Sequence, residues 1–287
     1  EDLILVDAKA PVSFFGYPGK KSYLVPDGCT THTLVAPEQD AVLGLEQLVD
    51  ALGARSVEPV RQSYERPSLP SGSLNANKVC QAIGALMPDR LIISDEAQTS
   101  GVKLPAYTSG APRHDLLALT GGAIGQGLPV AVGAAIAAPD RPVLALVGDG
   151  SAMYTIQSLW TIAREGLNVV TVILNNRSYA ILNVELERTG AGKPGPKAKG
   201  QLDLAQPPLD FVALANGMGV PARSANTAEQ FNDALAFAFR SRGPFLIEAI
   251  VPSEFRGLKL KALPHVLGAL HRVPSPLAKA IKKTIAP

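Results

Sequence analysis

The sequence predicts an α/β fold built on a parallel β-sheet, and three observations support this prediction. Short apolar runs alternate along the chain with longer segments that have helical spacing. Two of these runs, residues 143–147 and 169–174, flank a Gly-rich turn and a helical segment. A strand–helix–strand unit of this kind returns its second strand parallel to the first. The chain has 287 residues, 46% of them hydrophobic, which is enough for one full domain and part of another.

The first 54 residues are expected to be the C-terminal remnant of a separate α/β domain. Apolar runs predict strands at residues 3–6 and 33–36 and a weaker one at 22–25, and helical spacing predicts a helix over 39–52. Residues 55–73 set prolines among polar groups without an apolar period, which is typical of a linker between domains.

The main domain is predicted over residues 74–252. Its expected helices cover 74–86, a segment after Pro129, 151–166, 211–218 and 227–241, and its expected strands cover 91–94, 116–119 (short and buried), 143–147, 169–174 and 245–250. Residues 185–208 are rich in Gly, Pro and Lys, which fits either a mobile lid or a surface loop. Residues 253–287 are predicted to be a basic amphipathic tail.

Composition argues against several classes of partner. A formal net charge of +2 is too small to indicate binding to nucleic acid or to an acidic membrane surface. No apolar run approaches the ~20 residues of a membrane span. Cys29 and Cys80 have no metal-ligand spacing, so we expect buried, reduced thiols and a cytoplasmic protein.

Polar side chains follow two strands of the central strand–helix–strand unit. Asp149 comes directly after the first strand and Asn176 after the second. Because parallel neighbouring strands end at the same edge of a sheet, the two side chains are expected to be neighbours. Their hard oxygen atoms suit magnesium or calcium rather than zinc. The helix that opens at Gly150 and Ser151 offers unpaired amide groups to a phosphate, so the unit predicts a metal-bound diphosphate.

Gly148-Asp149-Gly150, 24 further residues, and then Asn175-Asn176 form a motif with specific spacing. At these residues the chain resembles the C-terminal part of thiamine diphosphate-dependent enzymes of the acetolactate synthase and benzoylformate decarboxylase superfamily, most nearly the acetolactate synthase large subunits. The resemblance implies a parallel-sheet diphosphate-binding domain, here preceded by part of the central domain. It implies thiamine diphosphate and Mg²⁺ as cofactors, and the remnant leaves the use of FAD open.

The resemblance also implies roles for individual residues. Asp149, Asn176 and the backbone carbonyl of Ser178 would be the metal ligands. Contacts to the diphosphate and its surroundings would come from Gln98, Thr99, Gly148, Gly150, Ser151, Ala152, Tyr179, Ala180 and Ile181. Gln98 and Thr99 could instead form only a polar helix cap.

The resemblance also assigns the thiamine end of the cofactor to the Gly-rich segment that begins at Thr120. Ile124 would force the two cofactor rings into a V, beside Ala123, and the Gly122 carbonyl would accept a hydrogen bond from the aminopyrimidine. The simpler alternative is that Ile124 only fills the core. Ile181 and Leu182 would line an apolar substrate pocket.

Four further side chains receive no catalytic role from the sequence. Asp95 and Glu96 are a carboxylate pair in a turn, which is more often a cap or a solvated surface than an acid–base pair. Tyr154 and Trp160 are expected to pack in the core.

The implied activity is decarboxylation of an α-keto acid, with or without addition to a second carbonyl compound. In the family, a glutamate from a separate pyrimidine-binding domain activates the cofactor, and nothing in this chain resembles that domain. We therefore expect no catalytic residue in this chain and no turnover by the chain alone. A complete site would need that segment and a homodimer or tetramer. A benzoylformate decarboxylase-like lyase, a non-catalytic cofactor-binding paralog and a nucleotide-binding module remain as alternatives.

Overall fold

A computed structural model describes residues 1–16, 19, 21–189 and 194–253, with the side chains of 187 and 188 left out. The chain divides into two compact units, residues 1–61 and residues 62–287. The predicted tail lies outside the described residues from position 254 onward, so its amphipathic character stays a prediction.

The first unit contains a small parallel sheet and one helix. Strand β1 (Asp2–Val6) pairs with β2 (Thr30–Val35), and helix α1 (Ala41–Ala51) begins after Asp40, whose side chain accepts a hydrogen bond from the Leu43 N–H. The prediction of a strand at 22–25 is wrong. Among the described residues, that segment makes only an isolated antiparallel bridge, from Tyr23 to Val12.

The second unit is built on a six-stranded parallel sheet, which confirms the predicted fold class. Its strands are β3 (Leu91–Glu96), β4 (His114–Ala118), β5 (Val143–Gly148), β6 (Val169–Asn175), β7 (Ala222–Ala225) and β8 (Phe245–Ile250), in the spatial order β4-β3-β5-β6-β8-β7. Its helices are α2 (Ala76–Leu86), α3 (Leu104–Thr108), α4 (Gly127–Ala137), α5 (Asp149–Thr155), α6 (Ser158–Arg164), α7 (Ala180–Arg188), α8 (Pro196–Gly200), α9 (Phe211–Gly217) and α10 (Ala228–Ser241).

Helices cover both faces of this sheet. On one face, Leu144 and Leu146 of β5 pack with buried residues of α2 and α10. On the other face, Val143, Ala145 and Val147 pack with buried residues of α4, α6 and α9. Successive residues of a strand point to opposite faces, so a strand buried on both sides becomes a continuous apolar run. This explains why the sequence alone reveals β3, β5, β6 and β8.

The strand order reverses between β3 and β5. From β3 the chain moves outward to β4, then returns to add β5 on the other side of β3, followed by β6. Ligands of open α/β sheets bind in the crevice beyond the carboxyl ends of strands at such a switch point. The ends of β3, β5 and β6 carry Glu96, Gly148 and Asn175, so the predicted site residues that follow them share this edge.

Several local predictions need correction. The predicted strand at 116–119 forms strand β4, which lies at the edge of the sheet among the described strands, and Leu116 and Leu117 are exposed rather than buried. The single helix predicted from Ser151 is two short helices, α5 and α6. Tyr154 and Trp160 lie on their outer side and are 59% and 53% exposed, so the expectation of core packing is wrong.

The structure also bears on the expectations about the two cysteines and about membrane spans. Cys80 is buried, as expected, whereas Cys29 is partly exposed. Among the residues that the structure describes, no helix combines the length and the apolar character needed to cross a membrane.

Candidate active site

Asp149 stands at the carboxyl end of β5, as the first residue of α5, and is 2% exposed. Its Oδ1 accepts a hydrogen bond from the Gly150 N–H at 2.9 Å, and its Oδ2 accepts one from the Arg177 N–H at 2.6 Å. The second bond joins the end of β5 to the turn that follows β6. The two segments separated in sequence by a whole helix are therefore in contact at the carboxylate.

Burial raises the pKa of the Asp149 carboxyl from an ordinary 3.8 to about 6, although the surrounding backbone N–H groups of residues 150 and 176–178 act in the opposite direction. Removal from water destabilises the charged form of the carboxyl more than the hydrogen bonds from these amides stabilise it. A cation beside the carboxylate would stabilise its charged form and so lower its pKa.

The turn after β6 presents further oxygen atoms. Asn176 is 9% exposed, and its Oδ1 accepts a hydrogen bond from the Ser178 N–H at 2.9 Å. Arg177 has a φ of 57°, a left-handed conformation that folds the turn back onto Asp149. Residue 178 also forms an isolated antiparallel bridge with Asp203, which ties the turn to a later segment.

The predicted metal ligands fit a hard divalent cation. They comprise one buried carboxylate, one side-chain amide and one backbone carbonyl, and such oxygen donors are the type that Mg²⁺ prefers. Within the described ranges, no group of three or more His, Cys, Asp or Glu residues could hold a metal ion, which leaves out the donor clusters typical of zinc or iron sites.

Gly150 lies beneath the ring of Tyr179. A Cβ atom at position 150 would lie 2.7 Å from Cδ1 of that ring and nearer still to Cε1, closer than real Cβ atoms approach. Ser151 and Ala152, which follow in α5, are also buried. The packing explains why the second glycine of the Gly-Asp-Gly turn is needed here: it lets the start of α5 and the segment after Asn176 come together.

The predicted residues after β3 form a 3₁₀ turn, Gln98–Ser100, which contacts both β5 and α7. Gln98 adopts a φ of 51°, and neither Gln98 nor Thr99 caps a helix through its side chain in this turn. The turn thus lies at the same sheet edge as Asp149. Its two polar side chains are partly exposed there.

The Gly-rich segment combines an exposed stretch with a buried end. Gly121 and Gly122 have φ values of 62° and 66° and, like Ala123, are exposed, whereas Ile124 is only partly exposed. Gly125 and Gly127 are then buried, against α5 and β3 respectively, with the partly exposed Gln126 between them. Ile124 therefore lies at the boundary between core and surface.

Glu96 belongs to this site region although the sequence analysis gave it no role. It is 1% exposed, so the expectation of a solvated surface is wrong, whereas the expectation of a cap stays open, because Glu96 accepts hydrogen bonds from three backbone N–H groups of residues 125–127, where α4 begins. A sequence signal did exist. Ile92, Ser94 and Glu96 occupy alternate positions of one strand, so Glu96 had to share a covered face with Ile92.

Residues 97–249 match the family described as "Thiamine pyrophosphate enzyme, C-terminal TPP binding domain". This chain belongs to that family. The match spans the 3₁₀ turn, the Gly-rich segment, the Asp149 turn and the Asn176 turn, so all of the predicted site residues lie inside the thiamine pyrophosphate-binding domain. Thiamine pyrophosphate and thiamine diphosphate are the same compound.

Two curated relatives and one solved structure show what the domain is similar to. The chain is 55% identical over 252 residues to a protein of Mycobacterium tuberculosis named for the acetolactate synthase large subunit, IlvX, covering 88% of this chain and 48% of that protein. It is 36% identical over 229 residues to benzoylformate decarboxylase of Pseudomonas aeruginosa, covering 76% of this chain and 41% of the relative.

The structure of a thiamine diphosphate-dependent 4-hydroxybenzoylformate decarboxylase from Rhodococcus jostii RHA1 superposes with a TM-score of 0.69 at 28% identity. That superposition covers 88% of this chain and 49% of the decarboxylase. The chain therefore spans about half the length of the relatives that it matches.

The last group of predicted residues lies on helix α7 of the thiamine pyrophosphate-binding domain, a helix that the sequence analysis did not predict. Ala180 is buried, Ile181 is partly exposed and Leu182 is 45% exposed. Part of the predicted lid, residues 185–188, continues this helix. A second part is attached beside the turn that contains Asn176, because the Tyr179 N–H donates to the Leu202 carbonyl at 3.0 Å.

Proposed function

We propose that this chain provides the diphosphate- and metal-binding half of a thiamine diphosphate- and Mg²⁺-dependent enzyme that decarboxylates an α-keto acid and, like acetolactate synthase, joins the product to a second carbonyl compound. One observation carries the proposal. The buried Asp149 carboxylate and the turn containing Asn176 meet at the sheet edge where the strand order reverses.

The metal would be held by the Asp149 carboxylate, the Asn176 Oδ1 and the Ser178 carbonyl. The diphosphate would lie at the start of α5, with Gln98 and Thr99 donating to its oxygen atoms from the neighbouring strand end. The raised pKa of Asp149 supports this assignment, since a buried carboxylate with an unfavourable charge is stabilised by a bound cation.

At the other end of the cofactor, the Gly122 carbonyl would accept a hydrogen bond from the aminopyrimidine, and Ile124 would support the bent arrangement of the two rings. The exposed position of residues 121–123 supports this, because that backbone is open to a ligand. When bound, thiamine diphosphate supplies the chemistry of decarboxylation. The residues of this chain position it and exclude water around it.

The substrate would approach α7, where Ile181 and Leu182 present apolar side chains. The 55% identical relative favours acetolactate synthase-type chemistry. The second candidate is a benzoylformate decarboxylase-like lyase, which is favoured by the names of the other curated relative and of the similar solved structure. Assay of the complete enzyme with pyruvate and with benzoylformate separates the two candidates.

A complete enzyme would also need the pyrimidine-binding segment that provides the activating glutamate, and an assembly of two or more subunits. This chain spans about half of its relatives, so we propose that it binds the cofactor but does not turn over by itself. Release of CO₂ from pyruvate by the isolated chain at an ordinary enzymatic rate would contradict this part of the proposal.

Calorimetry tests the cofactor assignment. The purified chain is titrated with thiamine diphosphate in Mg²⁺, with thiamine diphosphate in a chelator, and with ADP in Mg²⁺. We expect heat of binding only in the first titration. Binding of ADP as tightly as thiamine diphosphate would favour a nucleotide-binding module instead, and the absence of binding in all three would refute the proposed cofactor.

A further inference from the structure

Glu96 is a buried carboxylate directed at the Gly-rich segment. It is the last residue of β3 and is 1% exposed. Its Oε1 accepts hydrogen bonds from the N–H groups of Gly125 at 2.5 Å and Gln126 at 3.1 Å, and its Oε2 accepts one from Gly127 at 3.0 Å. Three convergent amides on one carboxylate fix both the position and the orientation of the segment.

Two further side chains hold the carbonyl groups of the same residues. The Ser94 hydroxyl donates to the Gly127 carbonyl at 2.8 Å, and the Thr155 hydroxyl donates to the Gly125 carbonyl at 2.8 Å. Residues 125–127 are therefore held from β3 on one side and from α5 on the other. We call this set of bonds the loop anchor.

The packing around the loop anchor leaves no room for a side chain at positions 125 and 127. A Cβ atom at Gly125 would lie 2.7 Å from the Cβ of Tyr154, and one at Gly127 would lie 2.8 Å from the Cβ of Glu96. By contrast, a Cβ atom at Gly121 would meet nothing within 4 Å. The segment is thus held in place at residues 125–127 and open at Gly121, and Gly122 and Ile124 lie between these two parts.

We propose that Glu96 is a positioning residue for the thiamine end of the cofactor. Through the loop anchor it fixes the position and orientation of the Gly122 carbonyl and the Ile124 side chain. It does not affect the turn at Gly148–Ser151, which is assigned to the diphosphate. This inference rests on the proposed function, because it assigns those two residues to the cofactor.

The competing explanation is purely structural. The N-cap residue of α4, Gln126, makes no side-chain capping bond, so Glu96 could simply cap that helix from a distance. A cap contributes to the stability of the fold as a whole. It would not separate the affinity for thiamine diphosphate from the affinity for the diphosphate alone, and this difference makes the two explanations distinguishable.

The test compares two ligands on three variants of the full chain. Glu96→Gln preserves the shape but replaces one acceptor oxygen with an NH₂ group, which cannot accept from a backbone N–H. Glu229→Gln is the matched control, since Glu229 also accepts a backbone N–H, from Gly72, at a remote position. Thr155→Val removes the hydrogen bond to the Gly125 carbonyl, on the α5 side of the loop anchor. It takes the place of Glu96→Gln in the test if that variant does not fold.

Calorimetry in Mg²⁺ measures the dissociation constants of thiamine diphosphate and of inorganic pyrophosphate. We expect Glu96→Gln to weaken the binding of thiamine diphosphate about tenfold or more, the loss expected for a charge-assisted bond. The binding of pyrophosphate should stay within about twofold of wild type, and Glu229→Gln should change neither constant. Thr155→Val should weaken thiamine diphosphate selectively but less. Amide hydrogen exchange, measured without ligand, should be faster at residues 125–127 in Glu96→Gln.

Three outcomes would count against these statements in different ways. An equal loss for both ligands would show that Glu96 is a structural cap. A wild-type chain that binds pyrophosphate but not thiamine diphosphate would reject the proposed function, and the positioning role with it. A wild-type chain that binds both, with Glu96→Gln unchanged, would reject the positioning role alone.

Discussion

The carboxylate of Asp149 accepts a hydrogen bond of 2.6 Å from the backbone N–H of Arg177, a residue 28 positions later. This bond joins the carboxyl ends of two adjacent parallel strands, and it lies at the sheet edge where the strand order reverses. A buried carboxylate in this place costs stability when it is charged, because neighbouring amides compensate only part of its desolvation. This arrangement underlies the predictions about the metal site.

The first prediction concerns pH in the absence of metal. The pKa of Asp149 is about 6 in the folded chain and an ordinary 3.8 when unfolded, so between these values the folded state binds more protons. The free energy of unfolding therefore falls as pH rises from about 4 to about 6, by roughly 3 kcal/mol from this group. Asp149→Asn should remove that part of the slope.

Urea denaturation in a chelator, repeated across this pH range, measures the slope. Asp140→Asn is the control, since Arg90 lowers the pKa of Asp140 and its titration lies below the range. A slope that is the same in wild type and Asp149→Asn would show that the carboxylate is not buried as described.

The second prediction concerns Gly150, against which the ring of Tyr179 packs. Gly150→Ala forces the ring or the start of α5 to move, which should lower the free energy of unfolding by about 1–3 kcal/mol. It should also weaken thiamine diphosphate binding, because the start of α5 and Tyr179, which are both assigned to the diphosphate, would shift together. Chemical denaturation and calorimetry measure the two effects.

Gly133→Ala is the matched control for this substitution. Gly133 lies within α4, and a Cβ atom there would meet nothing within 4 Å. It should stabilise the fold by up to about 1 kcal/mol, because alanine favours helix. If Gly150→Ala behaved like Gly133→Ala, the close packing of Tyr179 would be disproved.

The third prediction concerns removal of the metal. Thiamine diphosphate with Mg²⁺, at a hundred times its dissociation constant, should raise the free energy of unfolding by about 2.7 kcal/mol, and a chelator should abolish this gain. Asn176→Ala removes one proposed ligand and should weaken Mg²⁺ binding about tenfold or more. Asn216→Ala, an exposed asparagine of α9, should behave like wild type.

Thermal unfolding with and without Mg²⁺ provides the measurement. Equal stabilisation by thiamine diphosphate in Mg²⁺ and in a chelator would contradict a metal-bridged diphosphate. A normal response of Asn176→Ala would instead remove that residue from the set of ligands.

The strands that are buried on both faces could be predicted from the sequence because two-sided burial makes every position apolar. The turn at Asp149 could be predicted because its glycines and the later asparagines have a specific spacing. Strand β7 could not be predicted, since Ala222–Ala225 carries no apolar pattern and becomes a strand by pairing with β8. Helix α7 could not be predicted, since Ala180–Arg188 shows only a weak amphipathic pattern.

The contacts of the site were harder to predict than its elements. Glu96 lies about thirty residues before the amides that it binds, and no local pattern records such a bond. The exposure of Trp160 could not be predicted either, because helical spacing shows which residues share a face but not whether a neighbour covers that face.

The fourth prediction concerns the left-handed conformation of Gln98, with a φ of 51°. A residue with a Cβ atom pays about 1 kcal/mol for this conformation, and strain of this kind concentrates at functional sites. Gln98→Gly should therefore stabilise the ligand-free chain, or at least not destabilise it, while weakening the binding of thiamine diphosphate because the polar side chain is lost. Denaturation curves and calorimetry on the same samples separate the two effects.

Two companion variants make this prediction specific. Gln98→Ala also removes the polar side chain but keeps the strain, so it should lose the same affinity without the gain in stability. Arg242→Gly relieves an equivalent conformation, with a φ of 49° at the C-cap of α10, and should gain stability without losing affinity. If Gln98→Gly and Gln98→Ala both bound thiamine diphosphate like wild type, Gln98 would not be a ligand of the diphosphate, and its strained conformation would need another cause.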